Sequence, residues 1–576
     1  MNTKLSKHLH TLPFCLCAWP VRLLYFTTLC FALSSLSALA QVHDPKALYA
    51  DPTAANGPIA PLLTGLGEHH FEVTTNNPGS QQYFDQGYRL TMGFNHSEAL
   101  RSFKEATRLD PNNAMAFWGW ALVLGPNLNL PMQENVVEQA YTAMQNALAL
   151  KHKVTPREKD YIEALATRYI SDPKADRTAF DAAYMNAMKD LVKKYPDDLE
   201  AAILYAAAIM NTNPWDYWYA DGSPKSHTIV ILEVLQSVID RNPRHAGAHH
   251  YLIHTVEAFQ PELGIASADQ LGSLMPGAGH LVHMPSHIYM RVGRYADSYN
   301  ANVLAVKADE GYITQCRAQG LYPLAYYPHN IHFLAWSAMY QGRSSAALDA
   351  ARQVARSIPA KSRDNTWAMY ELFRSQPYFV MVRFGQWNDM LEEPKPEIGA
   401  QFITGIWHYA RGLAYAHKGQ ADLAQKELMQ LQKLRLEAEE DETYYAGFGA
   451  AGGLLSIADE ILSGEIAAKN GNIKKGISHL ERAVRLEDGL LYNEPSDWAL
   501  PTRHVLGAQL LEAGYPAEAE VIYWEDLRRN PENGYSLFGL HQSLTAQEKS
   551  GVAAAIEARF KKAWNEADVN LTTSRY

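Results

Sequence analysis

YFDQGYRLTMGFNHSEALRSFKEATRLDPNNAMAFWGWALVL, residues 83–124, carries an aromatic at Tyr83 followed by Gly87, Ala99, Phe103, Ala106 and Pro111. Small residues on two facing stretches let paired helices approach closely, and one large ring fills the gap between them. A helix, a tight turn, a second helix and a closing proline make a unit of about 34 residues. Closing prolines recur at Pro196, Pro243 and Pro276, ahead of DDLEAAILYAAAIM, RHAGAHHYLIHTV and GAGHLVHMPSHIYMRVGRY. The same spacing returns in IWHYARGLAYAHKGQADLAQKEL and, late in the chain, at Gly507, Gly514, Ala519 and Pro531.

These registers are those of the tetratricopeptide repeat (TPR). They predict an all-α protein, a right-handed α-solenoid of roughly seven to nine TPR-like helix pairs. Strand signals are almost absent. The expected organisation is a signal peptide over 1–40, an irregular arm over 41–78, the solenoid with central His-rich repeats over 79–545, and a capping helix over 546–576. The inter-repeat loops are aromatic: GPNLNLPM (125–132), NTNPWDYWYADGSP (211–224), YPLAYYP (322–328) and YNEPSDWALP (492–501). Such rings either wall a pocket or pack the turns, and the sequence leaves both open.

At 576 residues the chain is too long for one ordinary core, which suits a repeat array. Its first residues carry Lys4, Lys7 and Arg22, then the apolar LLYFTTLCFALSSLSALA ending in Ala38-Leu39-Ala40. This is the pattern of an export signal cleaved after Ala40, and it points to a periplasmic or secreted protein with no stable membrane insertion after cleavage. An uncleaved anchor is the alternative. The chain is acidic, with 62 Asp+Glu against 51 Lys+Arg, and loss of the leader makes it more so, which argues against nucleic acid as a partner. Cys15, Cys17 and Cys30 lie in the leader, leaving Cys316, so disulfides and thiolate metal ligation play no part in the expected mature fold.

Three consecutive repeats hold HHYLIHTVE (249–257), GHLVHMPSH (279–287) and PHNIH (328–332). His250, His254 and Glu257 are spaced 4 and 3; His280, His283 and His287 are spaced 3 and 4. Each trio therefore shares one helical face. Registered on Pro243, Pro276 and the Gly293/Gly342 turns, these residues with His329 and His332 occupy positions 2, 5, 9 and 12 of the first helix of their units, the groove-lining positions of a TPR array.

Convergence of that kind is what a transition metal requires, since three or four donors at about 2.0–2.2 Å cannot come from sequence neighbours. The candidate ligands are His250, His254, Glu257, His280, His283, His287, His329 and His332. Eight exceed one coordination sphere, so the expectation is two divalent ions, or one ion with several of these residues orienting its ligands. Imidazoles with one carboxylate suit zinc, copper, nickel or iron, and Met284 and Met290 favour copper. Glu257 is the candidate ligand or general base. His70, His96 and His504 stand as undecided additional members. There is no G-x-S-x-G, no phosphate-binding Gly-rich loop and no H-E-x-x-H.

FNHSEALRSFKEATRLDPNNAMAFWGWALVLGPNLN, NPWDYW, HMPSHIYMRVGRY, PHNIHF and NPENGYSLFGL together resemble a family of exported bacterial TPR proteins over most of residues 65–545. The resemblance implies the fold and a shared His site, not a substrate. The residues lead to a metalloenzyme, an oxidoreductase or hydrolase acting on a small molecule. A TPR scaffold gripping a peptide or protein partner, and a metal storage or delivery protein, are the other readings.

Overall fold

The computed structural model describes residues 57–316, 322–358, 371–396 and 400–576. The expected leader (1–40) and the start of the arm (41–56) lie outside the described residues.

Helices begin where the sequence supplies caps. Asn77, Asn95 and Asn113 each accept a backbone N–H two or three residues ahead, opening the helices Pro78–Met92, His96–Leu109 and Ala114–Leu124. Asparagine does this well because its short side chain reaches the otherwise unpaired first N–H groups. Thr155 and Glu158 form a reciprocal cap on Pro156–Ala166. Packing follows the small-and-large pattern. Phe103 is fully buried, and a Cβ at Gly87 or Gly119 would lie 2.9 or 2.3 Å from its ring. Tyr523 is wedged in the same way between Gly507 and Gly539 near the other end of the array. Each helix packs on its chain neighbour throughout, giving an all-α solenoid of TPR-like pairs. Among the described residues the strands amount to one short antiparallel hairpin, Tyr445–Ala446 with Gly449–Ala450. None of the described helices is long and apolar enough to cross a membrane.

The interior divides into two apolar cores, one running from Ala60 to Tyr326 and the other from Met290 to Ile556. The His-rich repeats lie at their seam. Residues 57–77 run without helix along the first repeats, where Thr74 N and Oγ1 bond the Glu158 carboxylate.

The array also closes on itself. Toward the front, Tyr312 Oη donates to Asn95 Oδ1 at 3.2 Å, tying the helix Tyr295–Cys316 to the first pair. Toward the back, Tyr295 Oη donates to Pro531 O at 2.7 Å, and Ser344 N donates to Asp568 Oδ1 at 2.7 Å. These contacts join the first helix pair and the C-terminal repeats to the middle ones, and Glu494 of the 492–501 loop pairs with His287 there.

Candidate metal centre

The helix Ala246–Val256 carries His250 and His254, with Glu257 at its C-terminal end. The next His segment is divided at Met284, because Pro285 has no N–H to continue the ladder; it runs as Gly279–His283 and Pro285–Arg291. His329 and His332 lie on Tyr327–Tyr340. Side chains from these helices meet in two histidine trios. His250, His254 and His280 form one, and His283, His287 and His329 the other, with the ligand nitrogens of each trio within 4.8 Å of one another. The trios adjoin: the His254 and His287 ring centres are 6.1 Å apart, and those of His280 and His283 6.0 Å. His332 stands outside both, edge-on to Phe373 at 5.2 Å.

The rings are held in one consistent way. His250 Nδ1 is 2.7 Å from Met92 O, and a carbonyl can only accept, so Nδ1 carries the proton. His283 Nδ1 donates to Asn302 Oδ1 at 2.7 Å; that amide is oriented by its Nδ2 bonds to Ser286 Oγ and Ser298 O. Glu257 serves both trios, Oε1 lying 3.1 Å from His254 Nδ1 and Oε2 2.7 Å from His287 Nδ1. With Nδ1 protonated and anchored, Nε2 presents its lone pair, and this is how protein histidines are set for metal ligation. The sequence reading made Glu257 a ligand or general base. Both its oxygens face imidazole nitrogens, which places it to orient two rings, and its carboxylate also lies with His287 and Glu494 in a group whose ligand atoms are within 4.8 Å of one another.

The inward nitrogens of the first trio lack protein partners. His250 Nε2, His254 Nε2 and both ring nitrogens of His280 are buried without a hydrogen bond among the described residues. Buried polar atoms are almost always satisfied, and three of these four nitrogens, one from each ring, can offer lone pairs to an electrophile, the fourth being the N–H of His280. In the other trio, Nε2 of His283 and of His329 lie 2.9 and 3.4 Å from His287 Nε2. A tetrahedral ion with nitrogens at ~2.1 Å holds them about 3.4 Å apart. The donor set and spacing fit a divalent transition metal.

Burial drives the protonation pattern. It lowers the pKa of His250, His280, His283 and His329 well below the usual value, with neighbouring rings adding to the effect. His254 is lowered by burial despite the Glu257 charge. His287 is the exception: burial opposes its proton, but the Glu257 and Glu494 carboxylates raise it to about 10. An imidazolium at His287 can donate Nε2–H to His283, and His287 would have to give up that proton to serve as a metal ligand.

A third group shows what the arrangement excludes. His69, Glu200 and His245 also bring ligand atoms within 4.8 Å. Here Ala248 N donates to His245 Nδ1 at 3.2 Å, so the Nε2 facing Glu200 must carry the proton. Tyr88 Oη donates to the other Glu200 oxygen at 2.6 Å. This is a carboxylate gathering donors and clamping the arm to the repeats, with no His245 lone pair offered to an ion.

Several residues of the site were not singled out from sequence. Glu494, from the 492–501 loop, places Oε2 3.3 Å from His287 Nδ1 and receives the Tyr492 hydroxyl at 2.5 Å. Phe94 stacks on His254 and His280 and lies 4.5 Å from the His250 ring. Its φ is +56°, at the turn position that Gly293 and Gly342 hold in later pairs with φ of +77° and +68°. A side chain there costs roughly 1–2 kcal/mol, and backbone strain of this kind collects at functional sites. Trp215, at φ +61°, sets its ring edge-on to His254 at 5.4 Å while remaining 47% exposed. The Gly-to-Phe exchange in MGFN was the one visible signal for Phe94. His70 bonds Asp85 on the surface, and His504 bonds Asp526 and Arg383 in a separate network. His96 lies beyond Phe94, with ring centres 6.2 Å apart.

The groove is not open. Burial is nearly complete for His250, His254, Glu257, His280, His283, His287 and His332, because closure of the array covers the face that an isolated TPR superhelix would expose.

The sequence matches no protein-family model and no curated protein. Among solved structures, the human IFIT1 dimer with m7Gppp-AAAA is similar over 85% of this chain and 91% of its own, at 14% identity and a TM-score of 0.31. The Cut9–Hcn1 hetero-tetramer of APC/C is similar over 84% of this chain and 94% of its own, at 12% identity and a TM-score of 0.24. Scores this low transfer nothing from those proteins. The fold rests on this chain's own helix packing.

Proposed function

We propose that this is an exported metalloenzyme that holds two divalent transition-metal ions, one on His250, His254 and His280 and one on His283, His287 and His329, with Glu257 fixing a ring of each. The observation that carries the reading is the shared anchoring: acceptors beside Nδ1 of His250, His254, His283 and His287 turn the Nε2 of these four rings toward their trios.

Three nitrogens per ion leave a tetrahedral coordination position free, the arrangement of catalytic rather than structural sites. A metal so held polarises a bound oxygen or lowers the pKa of water, which suits hydrolysis or oxidation of a small substrate. The chain's own residues supply the enclosure. Phe94, Tyr326 and Phe333 surround the rings with apolar surface, which excludes water and strengthens the electrostatics inside. Zinc, copper and iron all accept such ligands. Export follows from the 1–40 leader, with cleavage after Ala40 and a periplasmic or secreted destination.

Elemental analysis of the purified protein after loading with zinc, copper or iron tests the reading. Close to two equivalents and a higher melting temperature are expected. No retained metal and an unchanged melting temperature overturn it. The scaffold alternative predicts instead that a peptide or protein partner is captured and that chelators do not release it.

A further inference from the structure

Past the helix Ser550–Ala563, residues 567–576 run without helix or strand. Asp568, Asn570 and Thr572 are exposed, whereas Ser574 and Arg575 sink to 1% and 4% exposure. Residues 574–576 each have a place of their own. Ser574 Oγ donates to His504 O at 2.8 Å, so the Tyr523 hydroxyl donates to Oγ at 2.7 Å. Arg575 Nη1 donates to Glu465 Oε1 at 2.9 Å, and Nη2 donates to Glu512 Oε1. Tyr576 sets its ring edge-on to Trp387 and His417, with centres 5.3 and 5.0 Å away, and those two rings stack on each other at 4.8 Å.

The segment is gripped by its side chains. Among the described residues no backbone–backbone hydrogen bond joins 570–576 to the repeats. The partners come from separate helices: Glu465 from Ala451–Lys469, Glu512 from Thr502–Glu512, His417 from Gln401–His417 and Trp387 from Trp387–Glu392. An extended segment whose side chains enter pockets built by several elements is the geometry of peptide recognition, and it differs from the helix-on-helix packing that builds the array. The pocket is acidic in its own right. Glu465 is fully buried, and its Oε2 lies 3.4 Å from His417 Nε2. Withdrawal of Arg575 would leave that carboxylate buried without its guanidinium, a costly state, so an emptied pocket attracts another cation. Arginine suits it better than lysine, because one planar fork reaches two carboxylates on different helices.

We propose that the pocket of Glu465, Glu512, Trp387 and His417 is a receptor site for an extended peptide in which an arginine is followed by an aromatic residue, and that residues 574–576 are its resident occupant. A segment of that kind on another chain is the partner the site fits. The inference is independent of the metal reading. Because the resident is tethered, its local concentration is on the order of millimolar, and a free peptide competes with it only at a large disadvantage. The site is therefore masked until Arg575 and Tyr576 let go.

The probe is a fluorescein-labelled peptide with the sequence of residues 570–576, NLTTSRY, followed by anisotropy as full-length protein is added. Arg575→Ala weakens the resident and leaves the pocket intact. This variant is expected to bind the probe at least tenfold more tightly than the unaltered protein does, and at least tenfold more tightly than it binds the same peptide with alanine in place of arginine. Adding Glu465→Gln to the variant is expected to abolish the preference for arginine. Tyr576→Ala keeps the buried ion pair and empties only the aromatic place, so it decides the same comparison by itself should Arg575→Ala not fold. No binding of the probe by a folded variant, or equal binding of the arginine and alanine peptides, overturns the receptor site. Equal binding of the probe by the unaltered protein and the variants overturns the claim that residues 574–576 occupy it.

Discussion

Glu257 Oε2 lies 2.7 Å from Nδ1 of His287, while Oε1 of the same carboxylate lies 3.1 Å from Nδ1 of His254. One side chain, at the end of one helix, therefore sets a ring in each trio. Burial works against its charge, but the His287 charge and the bonds from His254 and His287 hold its pKa below the usual carboxylate range, so it remains an anion. The coupling makes Glu257 the residue whose loss should be felt at both ions.

Glu257→Gln keeps the size and one acceptor but lacks the charge. Metal affinity is expected to fall about 10–100-fold at both trios, the usual cost of removing a carboxylate that orients ligand histidines. Competition titration with a chromophoric chelator measures it. Weakening of one ion alone would show that the two trios are not joined through this residue.

The trios should be separable by stoichiometry. His250→Ala is expected to lower the bound metal by one equivalent and to leave the other ion in place, and His329→Ala to do the same at the second trio. His332→Ala, which removes a ring outside both, is expected to leave the metal content unchanged. Elemental analysis of the three variants reads this out directly.

Phe94 offers an inversion of the ordinary order of substitutions. Alanine normally outranks glycine in folded segments, but at φ +56° a Cβ is strained and glycine is not. Phe94→Gly is expected to be more stable than Phe94→Ala by about 1 kcal/mol, with both below wild type because a buried ring is lost, a change that costs ~3–5 kcal/mol. Chemical denaturation compares the pair.

Asp309 predicts a pH dependence. Burial raises its carboxyl from 3.8 to about 7, against the opposing bonds from Tyr322 Oη and Asn330 Nδ2. The folded protein binds this proton more tightly than the unfolded chain does. The resulting stability is complete below pH 4 and is lost as pH rises through about 7, by something on the order of 4 kcal/mol. Because Tyr322 Oη also accepts the backbone N–H of His280 at 3.0 Å, the loss falls next to the first trio. Asp309→Asn cannot ionise, and its melting temperature is expected to be flatter than that of wild type between pH 4 and 8.

Local information carried far in this chain. Gly87, Phe103 and Pro111 specify a helix pair because a ring and a missing side chain fit each other at a spacing that repeats, and the structure shows Phe103 wedged against Gly87 and Gly119. The faces of His250/His254 and His280/His283/His287 follow from 3.6 residues per turn. What no local pattern contains is the partner of each ring. Met92 O reaches His250 across 158 residues of chain, Asn302 meets His283 from a different helix, and Glu494 arrives at His287 from the far end of the array. These depend on how far the superhelix turns before it meets itself, which is the accumulated sum of small rotations at every inter-repeat contact. The sequence alone thus determined the all-α repeat and the face on which its histidines lie. Only the closed tertiary structure decided that they are buried, which nitrogen of each ring points inward, and that His332 stands apart, because tautomer and burial are settled by atoms distant in the chain.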